Sequence, residues 1–355
     1  MTLDDLGGWP GLLGRLVAGE ALSAGEAGAA LGDMLAGNAT PAQVAAFVTA
    51  LRLRGETVEE MSGLVRSMLA FAETVPVDPA LRERLVDTCG TGGDRSHTVN
   101  VSTMAALVVA GAGVPVCKHG GRAASSAVGT ADVLEALGVV IDLGPAGVAR
   151  CIEEVGMGFC FAPRFHPAMR HAIPVRRELG VATVFNFLGP LANPARARRQ
   201  VVGVSDPAMA DKMLGVLAAD GAVAAMVAWG HDGLDELSTT GPSTVVHLAP
   251  DGVVRRSEVD PAALGLARAT LADLRGGDAE ANAGAVRRVL DGEPGPHRDI
   301  VILNAAAGLV VAGRAGDLGD GLAQARAVLD SGAAAGVLET LVRVSRAAAA
   351  DLPRR

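Results

Sequence analysis

At 355 residues, half of them hydrophobic and 20% charged, the chain has apolar material for two packed units and too little charge for a disordered protein. Its formal net charge of -8 argues against a general nucleic-acid partner, which phosphate binding would supply with an excess of lysine and arginine. The start, "MTLDDLGGWPGLL", has no basic stretch followed by a long apolar run, and later apolar runs are broken by Gly, Pro or charge, so a cytoplasmic protein without a membrane partner is expected.

Three helix starts are written near the N-terminus. Ser23 is followed by Glu26, Thr40 by Pro41 and Gln43, and Thr57 by Glu60, each opening an apolar-periodic run. The predicted helices cover 23–36, 40–53 and 57–74, with Gly37 and Gly55 as stops. They form a small helical domain over residues 1–76, and the proline-bearing "ETVPVDPALRERL" marks a hinge.

From about residue 83 short apolar strands alternate with helical stretches: "RLVDTC", "VPVCKH", "MGFCFAP", "RQVVGVS" and "AVAAMVAWG". This pattern predicts an α/β domain over 77–355 with a mostly parallel central sheet flanked by helices. "DIVILNAAAGLVVAG" and "AAAGVLETLVRVSRAAAA" read as core-packing helices. The four cysteines form no C-x-x-C pair and the seven histidines no zinc spacing, so buried thiols and no zinc are expected.

The chemistry concentrates where strands end. "GTGGD", Gly90 to Asp94, follows a predicted strand and precedes a helix opening at "NVST", Asn100 to Thr103. Closely spaced glycines let backbone N–H groups approach an anion, and the helix N-terminus adds partial positive charge. A tight turn without ligand explains the glycines equally well. Capping by Asn100 or Ser102 accounts for one of the polar residues, and the Ser102 hydroxyl is also a candidate magnesium ligand. The second loop, "KHGGRAASS", offers Lys118 as a point charge and Ser125 and Ser126 as donors to phosphate oxygens. Two such loops favour a phosphorylated ligand with more than one anionic group. "HDGLDELSTTGPS" adds the adjacent acids Asp235 and Glu236, candidate magnesium ligands whose removal is expected to spare the core. In "RFHPAMRHAIPVRRELG" one arginine is suited to a substrate carboxylate.

The order and wording of "GTGGD", "NVST", "KHGGRAASS", "FAPRFHPAMRHAIPVRRELG", "FNFLGPLANPA" and "DGLDELSTTGPS" resemble the anthranilate phosphoribosyltransferases over nearly the whole chain. The resemblance implies a helical domain completed by about 165–190, with an arginine-bearing helix near 165–180, and usually a homodimer through the helical domains. It implies transfer of a phosphoribosyl group from phosphoribosyl pyrophosphate to anthranilate or a related aromatic acid, with Mg2+, in tryptophan biosynthesis. By motif match the donor is held in the first loop by Gly90, Gly93, Asp94, Thr98, Asn100, Val101, Ser102 and Thr103. In the second loop the match covers Lys118, His119, Gly120, Gly121 and Arg122, then Ala123, Ala124, Ser125, Ser126 and Thr130. Magnesium falls to Ser102, Asp235 and Glu236, and the acceptor to Gly90, Gly121 and Arg176. His119 suits either of two roles equally: positioning the amine or accepting its proton late, or a purely structural one held by a backbone partner. Gly121 stands where the family pattern has asparagine, which leaves open a related transferase with another aromatic acceptor. A pyrimidine nucleoside phosphorylase of the same fold, lacking the magnesium pair, is the other enzyme alternative; a non-catalytic relative is the third.

Overall fold

All three anticipated helix starts close as capping boxes. The hydroxyls of Ser23, Thr40 and Thr57 each accept from the backbone N–H three residues on, and Glu26, Gln43 and Glu60 accept from the cap's own N–H in return. The helices run Ala24–Leu35, Pro41–Arg54 and Val58–Ala70 in the computed structural model, which describes residues 2–94, 96–122 and 128–351. Gly37 and Gly55 follow the first two with φ of 83° and 87°, a backbone that L side chains resist. A further helix, Gly8–Val17, was not anticipated. It has no side-chain cap; its own Trp9 anchors it, packing edge-on against Phe47 at 6.0 Å and donating Nε1–H to Asp33 at 2.8 Å.

The five anticipated strands are β1 Val86–Gly90, β2 Val116–Gly120, β3 Met157–Phe161, β4 Arg199–Gly203 and β5 Ala224–Gly230, all parallel. Two antiparallel strands, β6 Ser243–Leu248 and β7 Val254–Val259, extend the sheet to the order β3-β2-β1-β4-β5-β6-β7. Sequence periodicity missed β7 because only Val259 in it is buried; its Arg255, Arg256 and Glu258 belong to a charged edge that discourages further pairing.

Side-chain alternation along the strands divides the core. Ala224, Met226 and Ala228 of β5 join one apolar cluster with the helices Val101–Gly111, Pro296–Val311 and Ala333–Ala350. Ala225 and Val227 face the other way, into a cluster that runs through the helix Ala210–Ala219 to Leu31, Phe47 and Leu64 of the N-terminal helices. The sheet therefore has helices on both faces.

The single arginine-bearing helix expected near 165–180 is three short pieces: Ala162–Phe165, a 3-10 turn Pro167–His171, and Ile173–Leu179. Pro163, Pro167 and Pro174 each lack an N–H and sit at the start of a piece, where none is needed. The last two pieces pack on the N-terminal helices.

Strand order reverses between β1 and β4: the chain winds outward from β1 through β2 and β3, then returns to lay β4 on β1's other side. In open parallel sheets the crevice beyond that reversal receives ligands.

Candidate active site

Two glycines flank the crevice: Gly90 ends β1 and Gly203 ends β4, paired in register. Between and above them runs Asp235. A Cβ on Gly90 would overlap the Asp235 carboxylate, and one on Gly203 would overlap the Asp235 carbonyl oxygen. Gly203 requires glycine because another backbone crosses it, and Gly90 because the Asp235 carboxylate lies against it.

From Gly90 the chain enters the first loop. Gly92 and Gly93 take φ of 66° and 88°, and Gly92 N–H donates to Asp235 Oδ2 at 2.7 Å. Ser205, just past β4, donates Oγ–H to Gly92 O at 2.9 Å and its N–H to Thr91 Oγ1 at 3.2 Å. Asp94 accepts from Ser96 Oγ at 2.6 Å. Thr98 lies within hydrogen-bond reach of Ser96, at 3.3 Å between hydroxyls.

Asn100 precedes the helix Val101–Gly111 but does not cap it through its side chain. Its amide is committed sideways, donating to Val128 O at 3.2 Å and accepting from Asn282 at 2.9 Å. Ser102 accepts from Lys118 Nζ at 3.2 Å, so the capping explanation fails for both residues. Val101 and Thr103 are buried. Val101 N–H bonds to Val99 O, and Thr103 reaches Thr130 at 3.2 Å, linking the helix after the first loop to the helix after the second.

Lys118, expected as a point charge for phosphate, is buried in the structure. Only 1% exposed, it donates from Nζ to Thr88 O and Ser102 Oγ, and burial pulls its pKa below the usual lysine range. Its charge acts from beneath the crevice. Gly120 is confined by Thr130 and Phe159. Arg122 forks onto Asp132 at 2.6 Å and Glu135 at 2.9 Å. Ala123, Ala124, Ser125 and Ser126 lie outside the described residues.

Asp235 and Glu236, the expected magnesium ligands whose removal was expected to spare the core, are built into the site more deeply than a loop position suggests. Asp235 is 8% exposed and holds the first loop. Burial, then the neighbouring Asp94 charge, raises its pKa to about 7; burial and Asp235 hold Glu236 well above the carboxylate range. Crowded hard-oxygen donors of this kind suit a divalent cation. No three His, Cys, Asp or Glu side chains among the described residues form a closed cage, so magnesium here would take its other ligands from substrate and water.

His119 and His166 face each other with ring centroids 5.1 Å apart. His119 Nδ1 meets Gly189 O at 3.1 Å and His166 Nε2 meets Ala192 O at 3.1 Å, which assigns the protons to those nitrogens. His119 Nε2 and His166 Nδ1 are then buried acceptors with no partner among the described residues. Burial lowers the pKa of His119 to about 3 and of His166 to about 4, so both rings are neutral at pH 7. Arg176 lies 5.6 Å over the Phe185 ring with no carboxylate partner among the described residues; burial lowers its pKa, but a guanidinium stays charged. Arg164 is occupied by Glu73. Sequence reasoning missed Gly203, Ser205, Asn282 and His166, because each matters through a neighbour distant in the chain; "FHPAM" was the one local signal, for His166.

Residues 10–72 match the glycosyl transferase family helical bundle domain and residues 82–335 its a/b domain. An anthranilate phosphoribosyltransferase of Salinispora arenicola (strain CNS-205) is 56% identical over 96% of this chain and 97% of its own length. That of Rhodococcus jostii (strain RHA1) is 54% identical over 93% of this chain and 91% of its own. The crystal structure of the Thermus thermophilus anthranilate phosphoribosyltransferase superposes with a TM-score of 0.89 at 45% identity, covering 94% of this chain and 99% of that one. The Saccharomyces cerevisiae enzyme, solved in complex with phosphoribosyl pyrophosphate and Mg, superposes with a TM-score of 0.87 at 27% identity, covering 96% and 98%. With both domains matched in order and more than half the residues identical over nearly the whole chain, the chain belongs to the anthranilate phosphoribosyltransferase family.

Proposed function

We propose that the chain transfers the 5-phosphoribosyl group of phosphoribosyl pyrophosphate to the amine of anthranilate, releasing pyrophosphate, as the second step of tryptophan biosynthesis from chorismate. The observation that carries this is the first glycine-rich loop folded over the β1/β4 reversal onto the buried Asp235 carboxylate, with Asn100 and Thr103 of the following segment bonded to Val128 and Thr130 beyond the second loop. The C1′–oxygen bond to pyrophosphate breaks with its electron pair leaving on oxygen, and the amine nitrogen bonds to C1′ from the opposite face. Magnesium, when held by Asp235, Glu236 and the Ser102 hydroxyl, neutralises charge on the departing pyrophosphate. The loop N–H groups orient the donor's phosphates, and Lys118 supplies buried positive charge nearby. His119 Nε2 is the available acceptor for the amine's proton. A base this weak suffices, because an arylamine that has just formed its C–N bond is a strong acid.

Pyrophosphate release should require magnesium and, among aromatic acids, prefer anthranilate; release of free base from a pyrimidine nucleoside by inorganic phosphate, with no pyrophosphate formed from the donor, would overturn the reading in favour of a phosphorylase. Arg176 is proposed to hold the acceptor carboxylate, supported by its free planar fork. Arg176→Ala is expected to raise KM for anthranilate about tenfold or more while leaving that for the donor within twofold. Equal effects on both substrates would remove Arg176 from the acceptor site.

Gly121 has no positive φ, and among the described residues a Cβ there would come no nearer than 4.0 Å, to Ala162. The backbone therefore gives no reason for glycine. Gly121→Asn is expected to raise kcat/KM for anthranilate several-fold, about the worth of one hydrogen bond. Specificity constants across the acceptor panel check it: a folded variant unchanged with every acceptor would show that this position does not set acceptor choice.

The division near residue 76, with 165–190 completing the helical unit, is supported by the packing of 167–179 on the N-terminal helices. A homodimer through that unit is supported by Val17, Leu53, Ile173 and Val181, all exposed there. No helix among the described residues is long and apolar enough to cross a membrane; the cytoplasm is the proposed compartment.

A further inference from the structure

The segment from Thr270 to Asn282 carries no motif, yet it is stitched to the underside of the first loop. Val99 N–H donates to Leu274 O at 3.0 Å and Gly276 N–H to His97 O at 2.8 Å, with Thr98 and Arg275 in an antiparallel bridge between them. At this seam His97 takes φ of 54°; among the described residues only Arg196 shares a left-handed backbone without being glycine. Such a conformation persists where surrounding contacts over-determine it.

Asn282 closes the seam. It is 3% exposed, on the first turn of the helix Ala279–Leu290, and its Oδ1 accepts from Gly277 N–H at 2.7 Å. A Cβ on Gly276 would press on its amide, so the turn is drawn tightly around this side chain. Its Nδ2 donates to Asn100 Oδ1 at 2.9 Å, and Asn100 Nδ2 then donates to Val128 O at 3.2 Å. The relay has one polarity: turning the Asn100 amide would face two donors at Asn282 and two oxygens at Val128.

We infer that Asn282 is a positioning residue of the donor site, locking Asn100 in the orientation that ties the first anion loop to the Val128 end of the second. The inference rests on the donor-site reading of Asn100. Asn282 itself touches neither substrate; it acts by pre-setting the spacing of the two loops before the donor arrives, and preorganised donors need no rearrangement on binding.

The test is a double-mutant cycle on Asn282→Ala and Asn100→Ala, read as KM for phosphoribosyl pyrophosphate, KM for anthranilate and Tm. Asn282→Ala is expected to raise the donor KM about tenfold, the worth of one lost hydrogen bond, with the acceptor KM within twofold. The double variant should match Asn100→Ala alone, because Asn282 acts through Asn100. A donor KM unchanged by Asn282→Ala but raised by Asn100→Ala would overturn the positioning role and leave the donor site standing. A donor KM unchanged by Asn100→Ala would instead remove Asn100 from the donor site. Additive effects would also sink the relay. Should the alanine variant fail to fold, Asn282→Asp keeps an acceptor for Gly277 N–H and replaces the donor to Asn100 by a carboxylate oxygen; if it too fails to fold, the residue serves the fold alone and the inference is wrong.

Discussion

Exchanging Asp235→Asn and Glu236→Gln together should abolish nearly all magnesium-dependent turnover, by at least about 100-fold, while making the metal-free protein harder to melt. The amides keep the shape of the acids, and the amide oxygen introduced at position 235 can still accept from Gly92 N–H, so the first loop stays anchored. What disappears is the negative charge that makes the pair a cation site. The stability gain follows from linkage. Asp235 has its pKa raised to about 7 from an ordinary value of 3.8, so between those pH values the folded protein binds the extra proton. Stability from this group is therefore present below about pH 4, declines as pH rises toward 7, and the deficit is complete above 7. At pH 8 without magnesium the variant's Tm should exceed the parent's by a few degrees; adding magnesium should raise the parent's Tm and leave the variant's unchanged. Thermal melts at pH 5 and 8, with and without the cation, check this. A variant that keeps full turnover at limiting magnesium would remove both residues from the metal site.

Gly203→Ala should be the most damaging single methyl group in the molecule. Its Cβ would overlap the Asp235 carbonyl oxygen, a backbone atom that cannot rotate away. Gly203 O also accepts from Thr91 N–H at 2.9 Å, so yielding at β4 moves the first loop and Asp235 together. Overpacking of a buried strand costs about 3 kcal/mol, and the displacement should reduce turnover by on the order of 100-fold even in the protein that remains folded. Gly336→Ala is the control: it lies inside the helix Ala333–Ala350 with an ordinary φ and open space at the new methyl. It should be neutral or stabilise by up to about 1 kcal/mol. Denaturant melts and pyrophosphate-release rates on both variants measure the contrast. Equal behaviour of the two would mean that the crossing of Asp235 over β4 is not rigid.

The sequence by itself determined what short-range chemistry controls. Ser23, Thr40 and Thr57 meet their partners three residues away, so the starts of three helices are legible without a fold. The five parallel strands announce themselves as apolar runs because they are buried on both faces. The two glycine loops and the acidic pair were visible as composition, together with the chemistry they suit. Tertiary structure decided everything that depends on what lies opposite. The helix Gly8–Val17 has no cap to read and is held by Trp9 against Phe47 and Asp33. β7 exists through its pairing with β6, since its own side chains are exposed except Val259. The burial of Lys118 and Asp235 could not be read from the sequence, because nothing adjacent in the chain buries them. Thr88 and Ser102 enclose the first, while Gly90 and Gly203 bring the strand ends beneath the second. Asn282 was silent because its role is a hydrogen bond to an amide far away in the chain, and periodicity carries no record of such a partner.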